Sequence, residues 1–226
     1  MLSLVIFDLD GTLLDTLEDL TAAVNHALGK NGLPARTPDE VRSFVGDGIP
    51  KLAARSVPTG TDAATEAAVL ADLLAYYAIH CRDATRPYPG VTRLLETLRG
   101  AGIRTAVVSN KANDAVQLLC EAYFPGTYDV CVGAKEDVRK KPAPDSVNAV
   151  LAALDIPREA AVYVGDSDVD IQTAANAGIP CVSVTWGFRS ERFLRENGGR
   201  LFAGSAAQLE AVLLKIREKG AQIGDA

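Results

Sequence analysis

Leu4-Val5-Ile6-Phe7-Asp8-Leu9-Asp10-Gly11-Thr12 decides the reading of this chain, because a short apolar run stops in two acids one residue apart. A run of this length, rich in β-branched and aromatic side chains, reads as a strand buried on both faces. In an extended backbone residues i and i+2 share a face, so Asp8 and Asp10 converge near one point while Gly11 lets the chain turn away. Two carboxylates at one point repel, and ionising both requires a cation; otherwise one keeps its proton. The pair therefore predicts a metal-bound or proton-sharing site, and either state suits catalysis.

The surrounding composition is that of a globular protein. The chain has 226 residues, 48% of them hydrophobic, enough for one large domain or for a core with an insertion. Its formal net charge of −6 disfavours nonspecific attraction to nucleic acid or to an anionic membrane. Cys81, Cys120, Cys131 and Cys181 are widely spaced with no Cys-x-x-Cys pair, so they read as buried free thiols of a cytoplasmic protein rather than a zinc site or disulfide framework. The first apolar run has no basic leader and reaches Asp8 too early for a signal peptide, and no later stretch is long enough to span a membrane. The expectation is a soluble, cytoplasmic protein, monomeric or homodimeric.

Outward from Thr12 the period changes. Leu17, Leu20, Ala23, Val24, Ala27 and Leu28 form one helical face ending near Gly32, and Thr37-Pro38-Asp39-Glu40 is a capping box with proline at the first helical position. Gly46-Asp47-Gly48 reads as a flexible loop, and an alanine-rich helix runs from about Asp62 to Cys81. Arg86-Pro87-Tyr88-Pro89-Gly90 reads as a boundary. Beyond it helices (91–99, 113–123, 145–154, 168–177, 206–219) alternate with short apolar strands (103–108, 130–132, 161–164, 181–184), which implies a parallel sheet whose ligands gather beyond the strands' carboxyl ends.

Three strands stop in polar residues: Asp8 and Asp10, then Ser109-Asn110, then Gly165-Asp166-Ser167-Asp168-Val169-Asp170. Between the last two lies Lys140-Lys141-Pro142-Ala143-Pro144-Asp145, whose prolines hold a lysine in a rigid turn. Carboxylates, hydroxyls and an ammonium would then share one cleft. Magnesium is commonly held by one or two carboxylates, water and a substrate phosphate, so Asp8 and Asp166 with a backbone carbonyl from Asp10 would suffice. Asp170 reads either as a first-turn helix acid or as a support for the metal ligands.

This constellation resembles the haloacid dehalogenase superfamily, whose phosphatases carry D-x-D-G-T, a strand-end Ser or Thr, a lysine and G-D-x-x-x-D; all four occur here in that order. The resemblance implies a Rossmann-like three-layer α/β core over residues 1–14 and 86–226, with a small all-helical cap inserted over 15–85. It implies a magnesium-dependent phosphatase in which Asp8 attacks phosphorus, Asp10 protonates the leaving oxygen and then activates water, and Lys141 and Ser109 stabilise the phosphoryl oxygens. Asn110 is expected beside the phosphate, and Thr12 either orients Asp10 and contacts substrate or simply turns the chain into the helix. Phe44-Val45-Gly46-Asp47-Gly48-Ile49-Pro50 resembles the substrate loop of phosphoglycolate phosphatases, with Gly46 and Gly48 allowing close approach of a small anion.

The expected partner is thus a small phosphorylated metabolite, with 2-phosphoglycolate the leading substrate and a sugar-phosphate phosphatase or phosphomutase the alternative. Asp10 argues against a dehalogenase, which needs no acid there, and Lys30 and Lys51 are the only candidates for the Schiff-base lysine of a phosphonate hydrolase. A receiver-type phosphoacceptor module shares the acids, hydroxyl and lysine but lacks an insertion. His26 and His80 fall on insertion helices as partly buried structural residues, away from any Ser-His or Cys-His mechanism. Trp186-Gly187-Phe188-Arg189 follows a strand end and reads as aromatic packing under a loop, with a border of the cleft as the alternative.

Overall fold

The computed structural model of the chain describes residues 1–219; segment 220–226, which the expected core span 86–226 includes, lies outside the described residues. The chain divides into two units, one made of Met1–Leu14 with the chain from Pro87 onward, the other of Asp15–Arg86. It passes from the first to the second through β2 (Leu14–Asp15) and back through β3 (Arg86–Pro87), two short strands that pair with each other.

The first unit opens with β1 (Leu4–Phe7), all four of whose residues are buried. Parallel strands covered on both faces need such continuous apolar runs. The other sheet strands are β4 (Arg104–Ala112), β5 (Val130–Ala134), β6 (Ala161–Gly165), β7 (Cys181–Val184) and β8 (Leu201–Ala203), in the spatial order β5-β4-β1-β6-β7-β8 with parallel pairing throughout. The chain winds leftward from β1 to β4 and β5, then returns to β6 and winds the other way. The order therefore reverses between β1 and β6, and the crevice beyond their carboxyl ends is where such sheets bind ligands.

Helices α5 (Val91–Gly100), α6 (Asn113–Tyr123), α7 (Asp145–Leu154), α8 (Asp168–Ala177), α9 (Glu191–Glu196) and α10 (Ala206–Lys219) flank this sheet, giving an α/β Rossmann-like core. Alternation along β1 sends Leu4 and Ile6 onto Val147, Val150, Leu151 and Leu154 of α7 and Ala174 and Ala177 of α8. Serine at the start of α8 has a specific local reason: the Ser167 hydroxyl accepts from the Asp170 backbone N–H while Asp170 reaches back to Ser167, a capping box that fixes the angle at which the helix leaves the crevice. Gly178, at φ 70°, ends the same helix in the left-handed conformation.

The second unit holds α1 (Leu17–Lys30), α2 (Pro38–Phe44), α3 (Ile49–Ser56) and α4 (Ala63–His80). Leu20, Ala23, Val24, Ala27 and Leu28 of α1 and Val69, Leu73 and Tyr77 of α4 are buried at helical spacing. Buried Asp19 accepts hydrogen bonds from the backbone N–H groups of Ala84 and Thr85, both at 2.8 Å, which satisfies its carboxylate. The Thr37-Glu40 capping box is present.

Several expectations are corrected. The loop read as flexible at Gly46-Asp47-Gly48 is held by Arg55 of α3, a helix the sequence did not announce, whose guanidinium donates to the Phe44 carbonyl and the Asp47 carboxylate. The strand expected to end at Val108 continues to Ala112 with a register irregularity. Of the four cysteines, all free, only Cys81 and Cys120 are buried; Cys131, on the edge strand β5, and Cys181, the first residue of β7, are partly buried. His26 is exposed rather than partly buried, and its ring stacks on Tyr76, as that of His80 does. Among the described residues no helix is long and apolar enough to cross a membrane.

Candidate active site

Asp8 is the first residue past β1 and Asp166 the first past β6, so the two acids flank the reversal point of the sheet. The Asp8 N–H donates to the Val164 carbonyl at 2.9 Å, carrying the ladder one residue beyond the strand. Three glycines let bare backbone close on Asp166 and Asp170. A Cβ on Gly11, which sits at φ +85°, would meet Asp166 Oδ2 at 2.4 Å. One on Gly165 would meet Asp170 Cβ at 2.3 Å, and one on Gly187 would meet the Gly11 carbonyl oxygen at 2.3 Å and Asp166 Cβ at 2.4 Å. No side chain fits at these distances, so the crevice floor is built from glycine because the acids need its space.

Lys141 sits in the middle of this floor. Its Nζ lies 2.9 Å from Asp8 Oδ1 and 2.7 Å from Asp170 Oδ1, and it donates to the Tyr163 hydroxyl at 3.0 Å. The hydroxyl in turn donates to the Val108 carbonyl at 3.1 Å. The Asn110 amide brackets the lysine from behind: its Oδ1 accepts from the Lys141 N–H at 2.9 Å and its Nδ2 donates to the Lys141 carbonyl at 3.1 Å. Burial works against the ammonium, but the carboxylates of Asp170 and Asp8 outweigh it and hold Lys141 protonated well above the ordinary lysine range.

The acids are under strain of the opposite sign. Burial, only partly countered by Lys141 and reinforced by the charges of Asp170 and Asp10, pushes Asp8 up to about 7. Burial and the nearby charges of Asp170 and Asp8 push Asp166 up to about 8, although the Phe188 N–H donates to its Oδ2 at 2.7 Å and the Thr12 hydroxyl to its Oδ1 at 3.0 Å.

The donor set fits a divalent cation. Carboxylate oxygens of Asp8, Asp166 and Asp170 lie within 4.8 Å of one another. Lys141 pairs with Asp8 and Asp170, and among the described residues no ion pair reaches Asp166. Three carboxylates against one ammonium leave two negative charges when all are ionised, the charge that a divalent ion cancels. Asp170 is the least available of the three, since Lys141 occupies its Oδ1 and the N–H and hydroxyl of Ser167 occupy its Oδ2. Oxygen-only donors of this kind suit magnesium, manganese or calcium rather than zinc.

The remaining residues singled out from the sequence have these positions. The Thr12 hydroxyl serves Asp166, not Asp10, because the turn at Gly11 directs it across to β6. Ser109 is buried at the irregular end of β4, where its hydroxyl accepts from the Lys111 N–H at 3.3 Å. The Trp186 indole N–H donates to the Thr12 carbonyl at 3.1 Å and so supports the acidic turn directly. Gly46 and Gly48 belong to the helical unit, at φ 136° and 86°. Asp10 does not stand alone: Lys111 Nζ donates to both of its carboxylate oxygens, at 2.8 and 2.9 Å.

Lys111, Tyr163 and the Phe188 N–H had escaped the reading of the sequence. A lysine directly after Ser109-Asn110, at the end of a buried strand, was a usable signal; a tyrosine inside an apolar strand and a backbone amide in a loop were not.

Comparison with known proteins adds to this geometry. Residues 5–184 match the family described as haloacid dehalogenase-like hydrolase. A phosphoglycolate phosphatase of Pseudomonas syringae pv. tomato is 33% identical over 200 residues, 85% of this chain and 73% of that one. A phosphoglycolate phosphatase of Cereibacter sphaeroides is 34% identical over 189 residues, 82% of this chain and 86% of its own. A solved structure from Lactobacillus delbrueckii subsp. bulgaricus, named for the same activity only by inference, is 37% identical, with a TM-score of 0.90 over 93% of this chain and 98% of that one.

Proposed function

This chain belongs to the haloacid dehalogenase-like hydrolase family and is a phosphoric monoester hydrolase, and we propose that it hydrolyses a small phosphate monoester, 2-phosphoglycolate, to glycolate and phosphate through a phosphorylated Asp8. The observation that carries this reading is the meeting of the Asp8, Asp166 and Asp170 carboxylates, the first and last of them paired with Lys141, at the reversal point of the sheet. The choice of 2-phosphoglycolate rests on the activity named for the relatives.

In this reading Asp8 and Asp166, with the Asp10 backbone carbonyl, would hold a magnesium ion. When bound, the ion neutralises charge on the phosphoryl oxygens and keeps Asp8 ionised. An Asp8 oxygen forms the new P–O bond as the ester P–O bond breaks, and the Asp10 carboxyl gives its proton to the departing oxygen. Water then attacks phosphorus, its proton passes to Asp10, and the bond between Asp8 and phosphate breaks. Lys141 and the Ser109 hydroxyl stabilise the equatorial oxygens, while Asn110 sets the lysine's position and Thr12 that of Asp166. Residues 15–85 serve as a cap that selects the substrate, with Gly46 and Gly48 as its candidate specificity residues.

A panel of small phosphate esters, assayed with magnesium and with chelator, tests this. Magnesium-dependent phosphate release with 2-phosphoglycolate as the best substrate is expected. A sugar phosphate that is isomerised without phosphate release would instead establish a mutase.

A further inference from the structure

We propose that Lys111 is a positioning residue that keeps the two acids of the first strand in separate roles, an inference that rests on the aspartyl-phosphate reading above. Lys111 Nζ bridges both Asp10 oxygens at 2.8 and 2.9 Å, and the two side chains are only 3% and 14% exposed. An ammonium on a flexible stem does not by itself fix a carboxylate; here burial immobilises the stem.

The fold goes to some length to seat it. In a regular strand Ser109 and Lys111 would share a face with Asn110 opposite, yet all three are buried at the irregular end of β4. The irregularity aims Asn110 at the Lys141 backbone and Lys111 at Asp10. Gly133 of β5 lets this end of the strand pack closely: a Cβ there would meet Asn113 Cα at 2.5 Å and the Lys111 carbonyl oxygen at 2.7 Å.

The physical need follows from the neighbouring charges. Asp10 lies two residues from Asp8, and without a partner its carboxylate would be free to turn toward the cation site at Asp8 and Asp166. Held by Lys111, it cannot swing into that site and remains where a proton must be delivered to, and later taken from, the oxygens at phosphorus. Lys111 acts through Asp10, the group that carries the proton.

Esters that differ in their need for a proton separate this role from a structural one. p-Nitrophenyl phosphate expels a stable phenolate without protonation, whereas 2-phosphoglycolate expels an alkoxide that requires it. In Lys111→Met, stopped-flow mixing with the aryl ester should show one equivalent of nitrophenolate released at a rate within about 3-fold of native. Later turnovers should fall about 100-fold, the lower end of what general acid–base catalysis contributes. With 2-phosphoglycolate the first turnover itself should fall about 100-fold, with KM changed far less than kcat. Lys111→Arg, which keeps a bidentate partner for Asp10, should restore most of the loss. Equal losses on both esters without a burst, or no loss on either, would overturn the proposal. Should circular dichroism show Lys111→Met to be unfolded, Lys111→Gln carries the same comparison. Failure of the native protein to release phosphate from either ester would instead overturn the aspartyl-phosphate reading.

Discussion

Replacing Tyr163 by phenylalanine is the cleanest probe of the floor beneath Lys141. The ring is fully buried, so Tyr163→Phe removes one oxygen and leaves the apolar packing intact. That oxygen accepts from Lys141 Nζ at 3.0 Å and donates to the Val108 carbonyl at 3.1 Å, so one deletion takes a partner from each of two buried groups. Leaving a buried polar group unsatisfied costs about 1–3 kcal/mol, and a total near 2 kcal/mol lowers Tm by about 4–8 °C in a protein of this size. Lys141 keeps its ion pairs with Asp8 and Asp170, so kcat should fall by no more than about 10-fold, less than the loss from general acid–base residues. Thermal unfolding followed by fluorescence, alongside steady-state turnover, measures both. A Tm within about 1 °C of native would refute the claim that this hydroxyl carries buried hydrogen bonds. A collapse of turnover with native stability would mean that the hydroxyl takes part in the reaction.

Asp8→Asn should abolish turnover and leave no acid-stable phosphate on the protein after quenching, whereas appreciable activity would exclude Asp8 as nucleophile. Gly187→Ala should cost about 1–3 kcal/mol through overpacking. Because its new Cβ presses on Asp166, it should also weaken binding of manganese, read by electron paramagnetic resonance; unchanged Tm and affinity would show that the loop yields freely. Chelator-treated protein should lose stability as pH rises. The folded-state values of Asp8 and Asp166, about 7 and about 8, lie above the ordinary 3.8, so the folded chain binds protons that the unfolded chain has released. The contribution is fully present below 3.8 and is lost by about 8. Magnesium should restore Tm most at the alkaline end, and a metal-free Tm that rises from pH 5 to 8 would contradict the assigned burial.

Much of the fold was legible along the chain because local rules and global architecture agree. Helices 145–154, 168–177 and 206–219 and strand 181–184 lie where periodicity and caps put them. The Thr37-Glu40 box could be read because its two hydrogen bonds need only residues three apart. Helix α3 and the short strands β2, β3 and β8 were not legible, since three residues or fewer of strand, or two turns of helix after a glycine loop, carry too little pattern.

At the candidate site the same division holds. Period-two geometry alone brings Asp8 and Asp10 to one strand end, and the order of the four polar clusters points to a family and to phosphoryl chemistry. Which acid each cation serves is a different kind of fact. Lys111 pairs with Asp10, Lys141 with Asp8 and Asp170, and Thr12 turns to Asp166 rather than to Asp10. These pairings join residues 29 to 154 positions apart. No local propensity encodes them; they exist because the sheet reverses between β1 and β6 and because glycines at 11, 165 and 187 leave the acids room to meet. The sequence by itself determined that two carboxylates would share a strand end. Tertiary structure decided their division of labour, because only packing could seat a separate buried ammonium against each.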